Sequence, residues 1–192
     1  MRSSRPRDEV LRVAMSEGEE LDEGDLRVRS DIERYGWHVA LVPPEQPEDP
    51  HSIGWGFTIG LVERFRHPEM AIFGMDLRAT HQLLNRTGVA IRKGWRFEPG
   101  GTYPGLLEKY ECAVRSIEPR WYSIFFGNAQ WHYRGDAFSM VQLYWPDEGR
   151  RFPWQEGFAS EWRWDQPLLY LADEGAALSP ALRDVLQREG AL

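Results

Sequence analysis

The segment Val141-Gln-Leu-Tyr-Trp-Pro-Asp-Glu-Gly-Arg-Arg-Phe-Pro-Trp154 sets a polar Gln142 inside an aromatic strand and runs it into a turn carrying Asp147, Arg150, Arg151 and Trp154. Asp147 can accept both forks of Arg150 or Arg151. Either guanidinium can stack on Trp145 or Trp154 and keep donors for a carboxylate or phosphate. The chemistry would be recognition of an anionic or aromatic ligand. The same residues also fit a structural clasp in which Pro146 and Pro153 shape the turn, Asp147 pairs with Arg151, and the tryptophans complete the core. A second constellation, His67-Pro68-Glu69, puts an imidazole and a carboxylate two residues apart at a strand entrance. It could serve acid-base chemistry, with His67 as base, Glu69 or Asp147 as orienting carboxylate and Arg151 as anion clamp. Its plainer counterpart is a loop histidine before a proline that marks a strand start.

Other chemistry finds little support. The five histidines, at positions 38, 51, 67, 81 and 132, form no His-Glu-x-x-His pair, so no metal site is expected. Cys112 is the single cysteine and reads as a small hydrophobe within a strand, which excludes an intramolecular disulfide and a thiolate cluster. There is no Gly-x-Ser-x-Gly elbow and no phosphate-cradling loop, since Gly54-x-Gly56 falls inside a strand. No cofactor is expected.

These residues need elements to hold them. Ile53, Trp55, Phe57, Ile59 and Leu61 alternate with Gly54, Gly56, Thr58 and Gly60, the period of a strand with one bulky and one nearly bare face. Something must approach the bare face closely, either a ligand over Gly56 and Thr58 or a tightly packed helix. Strands are also predicted at Trp37 to Val42, Glu69 to Met75 and Tyr110 to Ile117, with a central strand at Ala137 to Trp145, apolar on both faces except for Gln142. Asp76 should cap a helix with Leu77, His81, Leu84, Gly88 and Ile91 on its inner stripe, which turns His81 inward. Short helices are predicted after Ser30 or Asp31 and after Glu118-Pro119, where Gly127 should close the turn. A last helix near 180–189 is capped by Ser179. Strands in neighbouring pairs with few helices predict an α+β fold, a single domain over 30–192 with a largely antiparallel sheet and a few packed helices.

Residues 1–29 mix charges with few large apolar groups and include the acidic run Ser16 to Asp25, the pattern of a mobile arm. Over all 192 residues, 42% are hydrophobic, 13% aromatic and nine are Trp, enough for one substantial core. The net charge of −7 argues against nucleic acid, which requires a basic face. Only Lys93 and Lys109 of the 23 basic residues are lysine, a bias that codon usage also produces. There is neither a secretory leader pattern nor a run of about 18 apolar residues, so the expected setting is cytoplasmic, away from a membrane.

The ordered blocks Gly36-Trp-His-Val39, Phe57-Thr-Ile-Gly-Leu61, His67-Pro-Glu69, Leu83-Leu-Asn85, Gln142-Leu-Tyr-Trp-Pro-Asp147, Arg151-Phe-Pro-Trp154 and Gln166-Pro167 resemble the bacterial domain-of-unknown-function family numbered 4262. The resemblance spans roughly Ser30 to Leu168. It implies a bacterial cytoplasmic protein and brings no activity, cofactor or catalytic residue. Trp55 and Gly56 depart from the family pattern, which has a small residue and Tyr there.

The first functional expectation is a non-enzymatic protein that holds a small anionic or aromatic ligand, or a protein partner, with Gly56, Thr58, Gln142, Trp145, Asp147, Arg151 and Trp154. The alternative is a cofactor-independent, hydrolase-like acid-base enzyme using His67 and Glu69. A homodimer built on the aromatic segment is a third possibility.

Overall fold

The computed structural model describes residues 23–48 and 52–192. Its elements follow in the order α1 (Glu23–Tyr35), β1 (His38–Val42), β2 (Trp55–Ile59), α2 (Leu61–Phe65), β3 (Glu69–Phe73), α3 (Leu77–Arg92), β4 (Thr102–Tyr103), β5 (Cys112–Ser116), α4 (Tyr122–Phe125), α5 (Gly127–Tyr133), β6 (Met140–Tyr144), α6 (Glu174–Ala177) and α7 (Pro180–Arg188). Single 3-10 turns occupy Pro119–Trp121 and Ser160–Trp162. The strands form one mixed, mostly antiparallel sheet in the order β1-β2-β3-β6-β5-β4. The one parallel pairing joins β3 to β6, with Glu69 opposite Met140 and Ala71 opposite Gln142. The class is α+β, in a single domain.

The apolar pattern explains the layers. All five residues of β6 and all five of β3 are buried, as strands at the middle of a covered sheet must be. One face packs Phe57, Ile59, Ala71 and Phe73 against α1 and against Trp121, Phe125 and Phe126 around α4. The other face packs Met70, Ile72, Val114 and Leu143 against Leu83, Leu84 and Ile91 of α3. Asp76 caps α3 by accepting from the N–H groups of Arg78 and Ala79, and Ser179 caps α7 by accepting from that of Leu182. Among the described residues, no helix is long and apolar enough to cross a membrane.

Several local expectations are corrected. The described part of α1 covers Glu23–Tyr35, so residues 23–29 belong to a helix and not to an arm, and Ser30 and Asp31 lie inside it rather than capping it; residues 1–22 lie outside the described residues. Val28 and Ile32, one helical turn apart, bury against the core, and Glu23, Asp25 and Arg34 sit at the ends where the helix dipole favours their charges. Gly127 opens α5 instead of closing the preceding helix. His81 is exposed, because α3 buries Thr80, Leu83, Thr87 and Gly88 and its inner stripe is rotated away from His81.

Two glycines set the distance between α3 and the sheet edge. A Cβ on Gly56 would lie 2.8 Å from both Leu41 Cδ2 and Thr80 Cγ2, so the bare face of β2 is covered by α3 and by the neighbouring strand. A Cβ on Gly88 would lie 2.3 Å from Cε2 of Trp37, whose buried ring fills the groove under the helix. Gly to Ala inside a helix ordinarily gains up to about 1 kcal/mol. Here Gly88→Ala is expected to lose about 1–3 kcal/mol, because the helix must lift off Trp37. Urea unfolding of the two proteins checks it, and a variant at least as stable as the parent would contradict the close approach.

Candidate functional site

The fold consumes most of the polar groups that the sequence offered for recognition. Gln142 is fully buried on β6, donating through Nε2 to Pro167 O at 2.9 Å and accepting the Tyr144 hydroxyl at 2.8 Å. Trp145 gives its indole N–H to Phe73 O, while its backbone N–H and C=O are both held by the Gln166 amide. Asp147 is buried and accepts backbone N–H groups at both oxygens, Arg151 at 2.8 Å and Ala159 at 3.0 Å. Those bonds, from Arg151 first, hold its carboxyl below the usual range. The Arg151 guanidinium is half exposed, with Nε 3.7 Å from Asp147 Oδ2, and no bidentate fork forms. The shallow groove beside it also carries Glu148 and Glu161, which offset its charge toward an anion. Trp154 stacks on Phe152 and meets Tyr144 edge-on. The clasp therefore describes the Asp147 turn, and the bare glycine face that was the other candidate surface lies under α3.

His67 and Glu69 are not a base and its orienter. His67 is buried, with Nδ1 2.7 Å from Pro68 O and Nε2 accepting the Phe97 N–H at 2.9 Å, so both nitrogens are committed and the ring is neutral. Burial lowers its pKa below 6.5. Glu69 points into a different enclosure, where its carboxylate accepts from the Thr58 hydroxyl at 2.6 Å, from the N–H groups of Gly60 and Val62, and from the Tyr133 hydroxyl. Burial raises its pKa, and these four donors act against that rise. Thr58 is itself fully buried in this network. Asp147 and Arg151 lie beyond the far end of β6, whose stretch from Met140, opposite Glu69, to Tyr144 alone spans roughly 13 Å. The residues assigned to acid-base chemistry thus stand at opposite ends of the sheet. Cys112 is an inert core residue whose thiol burial pushes up to about 12. Among the described residues, no group of three or more His, Cys, Asp or Glu side chains is placed to hold a metal ion.

Unused polar chemistry collects instead at the other edge of the sheet. α1, β1 and α3 enclose a cleft of about 880 Å³. His38, on β1, has Nδ1 2.7 Å from Asp31 Oδ2, so a carboxylate on α1 fixes its ring orientation. Among the described residues no hydrogen bond to its Nε2 is present, and His38 lines the cleft. Beside it, the Trp37 indole N–H donates to Asn85 Oδ1 at 3.1 Å, and Asn85 Nδ2 reaches the His81 ring. The Arg92 guanidinium lies 5.5 Å above the Trp37 ring, and Arg27 stands on the α1 wall. A carboxylate-oriented imidazole, two cations and an aromatic floor can bind an anionic ligand and can also move a proton at His38 Nε2.

The model of the family described as Domain of unknown function (DUF4262) matches residues 31–159. The chain belongs to the DUF4262 family. The DUF4262 domain starts at the carboxylate that holds His38 and ends at Ala159, whose N–H closes on Asp147, and it contains all six strands. No curated protein and no solved structure matches the chain. Two blocks that carry the family resemblance, Gly36-Trp-His-Val39 and Leu83-Leu-Asn85, meet in this cleft. From the sequence Asp31 was expected only as a helix cap, and His38 and Arg92 were not singled out as site residues; Asp31 lies instead within α1, from which it reaches His38.

Glu69→Ala should leave three donors without their acceptor, the Thr58 and Tyr133 hydroxyls and the Val62 N–H, while Gly60 N–H keeps the Tyr133 hydroxyl oxygen at 3.0 Å, and should lose about 3 kcal/mol; Glu69→Gln, which keeps an acceptor for Gly60 and Val62, should lose about 1–2 kcal/mol. Denaturant titration that finds equal losses would refute the network. For His67, the unfolded ring takes up a proton below pH 6.5 and the native ring resists it, so its contribution is intact above 6.5 and is lost as pH falls through the lowered native value. The stability of the parent relative to His67→Gln is expected to fall between pH 7 and 5; parallel curves would show that the ring is not held neutral.

Proposed function

We propose that this protein binds a small organic anion in the cleft between α1, β1 and α3. The observation that carries the reading is His38, fixed through Nδ1 by Asp31 and lining a cleft of about 880 Å³. Arg27 and Arg92 are in no ion pair among the described residues and can meet an anionic group, while Asp25 and Asp31 in the same lining offset part of their charge. Trp37, buried beneath Arg92 and α3, forms the wall that holds the Arg92 guanidinium at the cleft. The expected ligand chemistry, anionic or aromatic, is retained from the sequence; its location moves from the Asp147 turn to the opposite edge of the sheet.

The same pair favours a second reading, acid-base catalysis on the bound molecule. A carboxylate that orients an imidazole at one nitrogen leaves the other ready to accept or return a proton, provided a substrate hydrogen comes within about 3 Å. His67 and Glu69 have no part in this version.

Equilibrium dialysis of the intact protein against a metabolite extract of its host, read by mass spectrometry, tests both. The parent should enrich one or a few anionic species, and His38→Ala and Arg92→Ala should each reduce the enrichment about tenfold. Equal enrichment by parent and both variants would discard the cleft as the site. Conversion of the enriched species, abolished by His38→Ala and slowed by Asp31→Asn, would select the catalytic reading.

A further inference from the structure

β1 is an edge strand whose outer side is unpaired among the described residues. It joins β2 alone, and no other backbone bond involves residues 37–42. Alternate residues of an antiparallel strand turn N–H and C=O away from the partner, so two or three of its five residues offer both groups outward. Its sequence, His-Val-Ala-Leu-Val, pairs one to one with β2 and contains no proline, bulge or lysine, the devices that ordinarily blunt an open edge.

The cleft lies along this edge. Its lining includes every residue from Trp37 to Leu41. Successive side chains of a strand point to opposite faces, so one cavity that meets an unbroken run must sit beside the strand and not over either face. Helices stand on both flanks. α3 follows β1 in the opposite direction: Leu41 and Thr80 close the space over Gly56 at one end, and Gly88 closes on Trp37 at the other. Thr80 to Gly88 is about 12 Å of helix and Leu41 to Trp37 about 13 Å of strand, so the two stay in step. On the other flank α1 turns through Gly36 into β1, brings Asp31 to His38 and sets Arg27 one turn further along. Some 880 Å³ spread along the roughly 17 Å of β1 leaves a section of about 50 Å². A lone extended chain, with neighbouring strands about 4.8 Å away and facing layers about 10 Å away, fills about 48 Å².

We propose that the ligand of this cleft is an extended peptide segment of about five residues that adds to β1 as a further strand and carries a carboxylate. The inference rests on the cleft being the binding site and narrows its anionic ligand to a peptide. Main-chain bonds to the open edge supply affinity, and alternate side chains fall against α1 and against α3. The carboxylate belongs at the Trp37 end, where the Arg92 guanidinium lies 5.5 Å above the ring and His38 stands next along the strand. A second copy of this chain fits poorly, because its own β1 is flanked by α1 and α3, which would collide with their counterparts before the strands came within about 4.8 Å.

The test dialyses the intact protein against a soluble library of N-acetylated pentapeptides of mixed sequence, with citrate as a small anion in a parallel cell, and reads the bound species by mass spectrometry. Acidic pentapeptides should be enriched over neutral ones, and Arg92→Ala should reduce that enrichment about tenfold. The enriched peptides are then remade with single N-methyl groups, a change in the ligand that leaves the protein untouched. Methylation at alternate residues should weaken binding about tenfold while the residues between tolerate it, the pattern of a strand ladder. Exchange of the terminal acid for an amide, or of Asp and Glu for Asn and Gln, tells a terminal carboxylate from a side-chain one; indifference to both overturns the charge recognition. Tolerance of N-methylation at every position overturns strand addition. Enrichment of citrate without any pentapeptide discards the peptide and leaves the cleft as an anion site, whereas enrichment of neither ends both readings. A mass that doubles with concentration while peptide binding falls assigns the edge to a second copy and also overturns the proposal.

Discussion

A carboxylate buried without a cation governs this fold. Glu69 opens β3 at zero exposure, and an ionised or neutral carboxyl in that position is tolerable only if its oxygens are met by donors. Those donors come from the last turn of β2, from the start of α2 and from the end of α5. The Thr58 hydroxyl that donates to Glu69 also accepts the Met70 N–H, which closes the junction of β2 and β3. The Glu69 N–H binds Ser139 O, so the same residue starts the parallel pairing with β6. One side chain thereby fixes where two strands begin and where two helices sit.

The rest of the sheet is organised outward from that junction. Around Phe73 the rings of Trp55, Phe125 and Phe126 pack at stacked or edge-on angles, and they anchor α4 on one face. On the other face Trp37 lies in the space left by Gly88, so α3 closes down on the edge of the sheet. At the far end of β6, Asp147 uses both oxygens to hold backbone on either side of a loop. Polar side chains in these places act as connectors whose bonds are saturated by the protein.

The polar chemistry that the connectors leave over lies apart from them. At β1 the Asp31–His38 pair lines a cleft, with no hydrogen bond to His38 Nε2 among the described residues. Arg115 on β5 and Arg163 after the Ser160–Trp162 turn sit against aromatic rings, each with one buried nitrogen unpartnered among the described residues. Both lie toward the margins of the sheet, where side chains are half-buried.

The amino-acid sequence by itself determined what depends on near neighbours in the chain. The α+β class, the centrality of β6, the Asp76 and Ser179 caps and the close approach on the glycine face follow from periodicity, capping and missing side chains, each acting within a few residues. Even there, the rotation of α3 that exposes His81 was decided by what the helix packs against. Only the tertiary structure decided which polar groups are spent. Glu69 meets Tyr133 across 64 residues, His67 meets Phe97 across 30, Gln142 meets Pro167 across 25 and Trp145 meets Phe73 across 72. A side chain of one type is a site when its bonds are unfilled and a rivet when they are filled. The filling partners come from distant chain, whose approach no local pattern encodes.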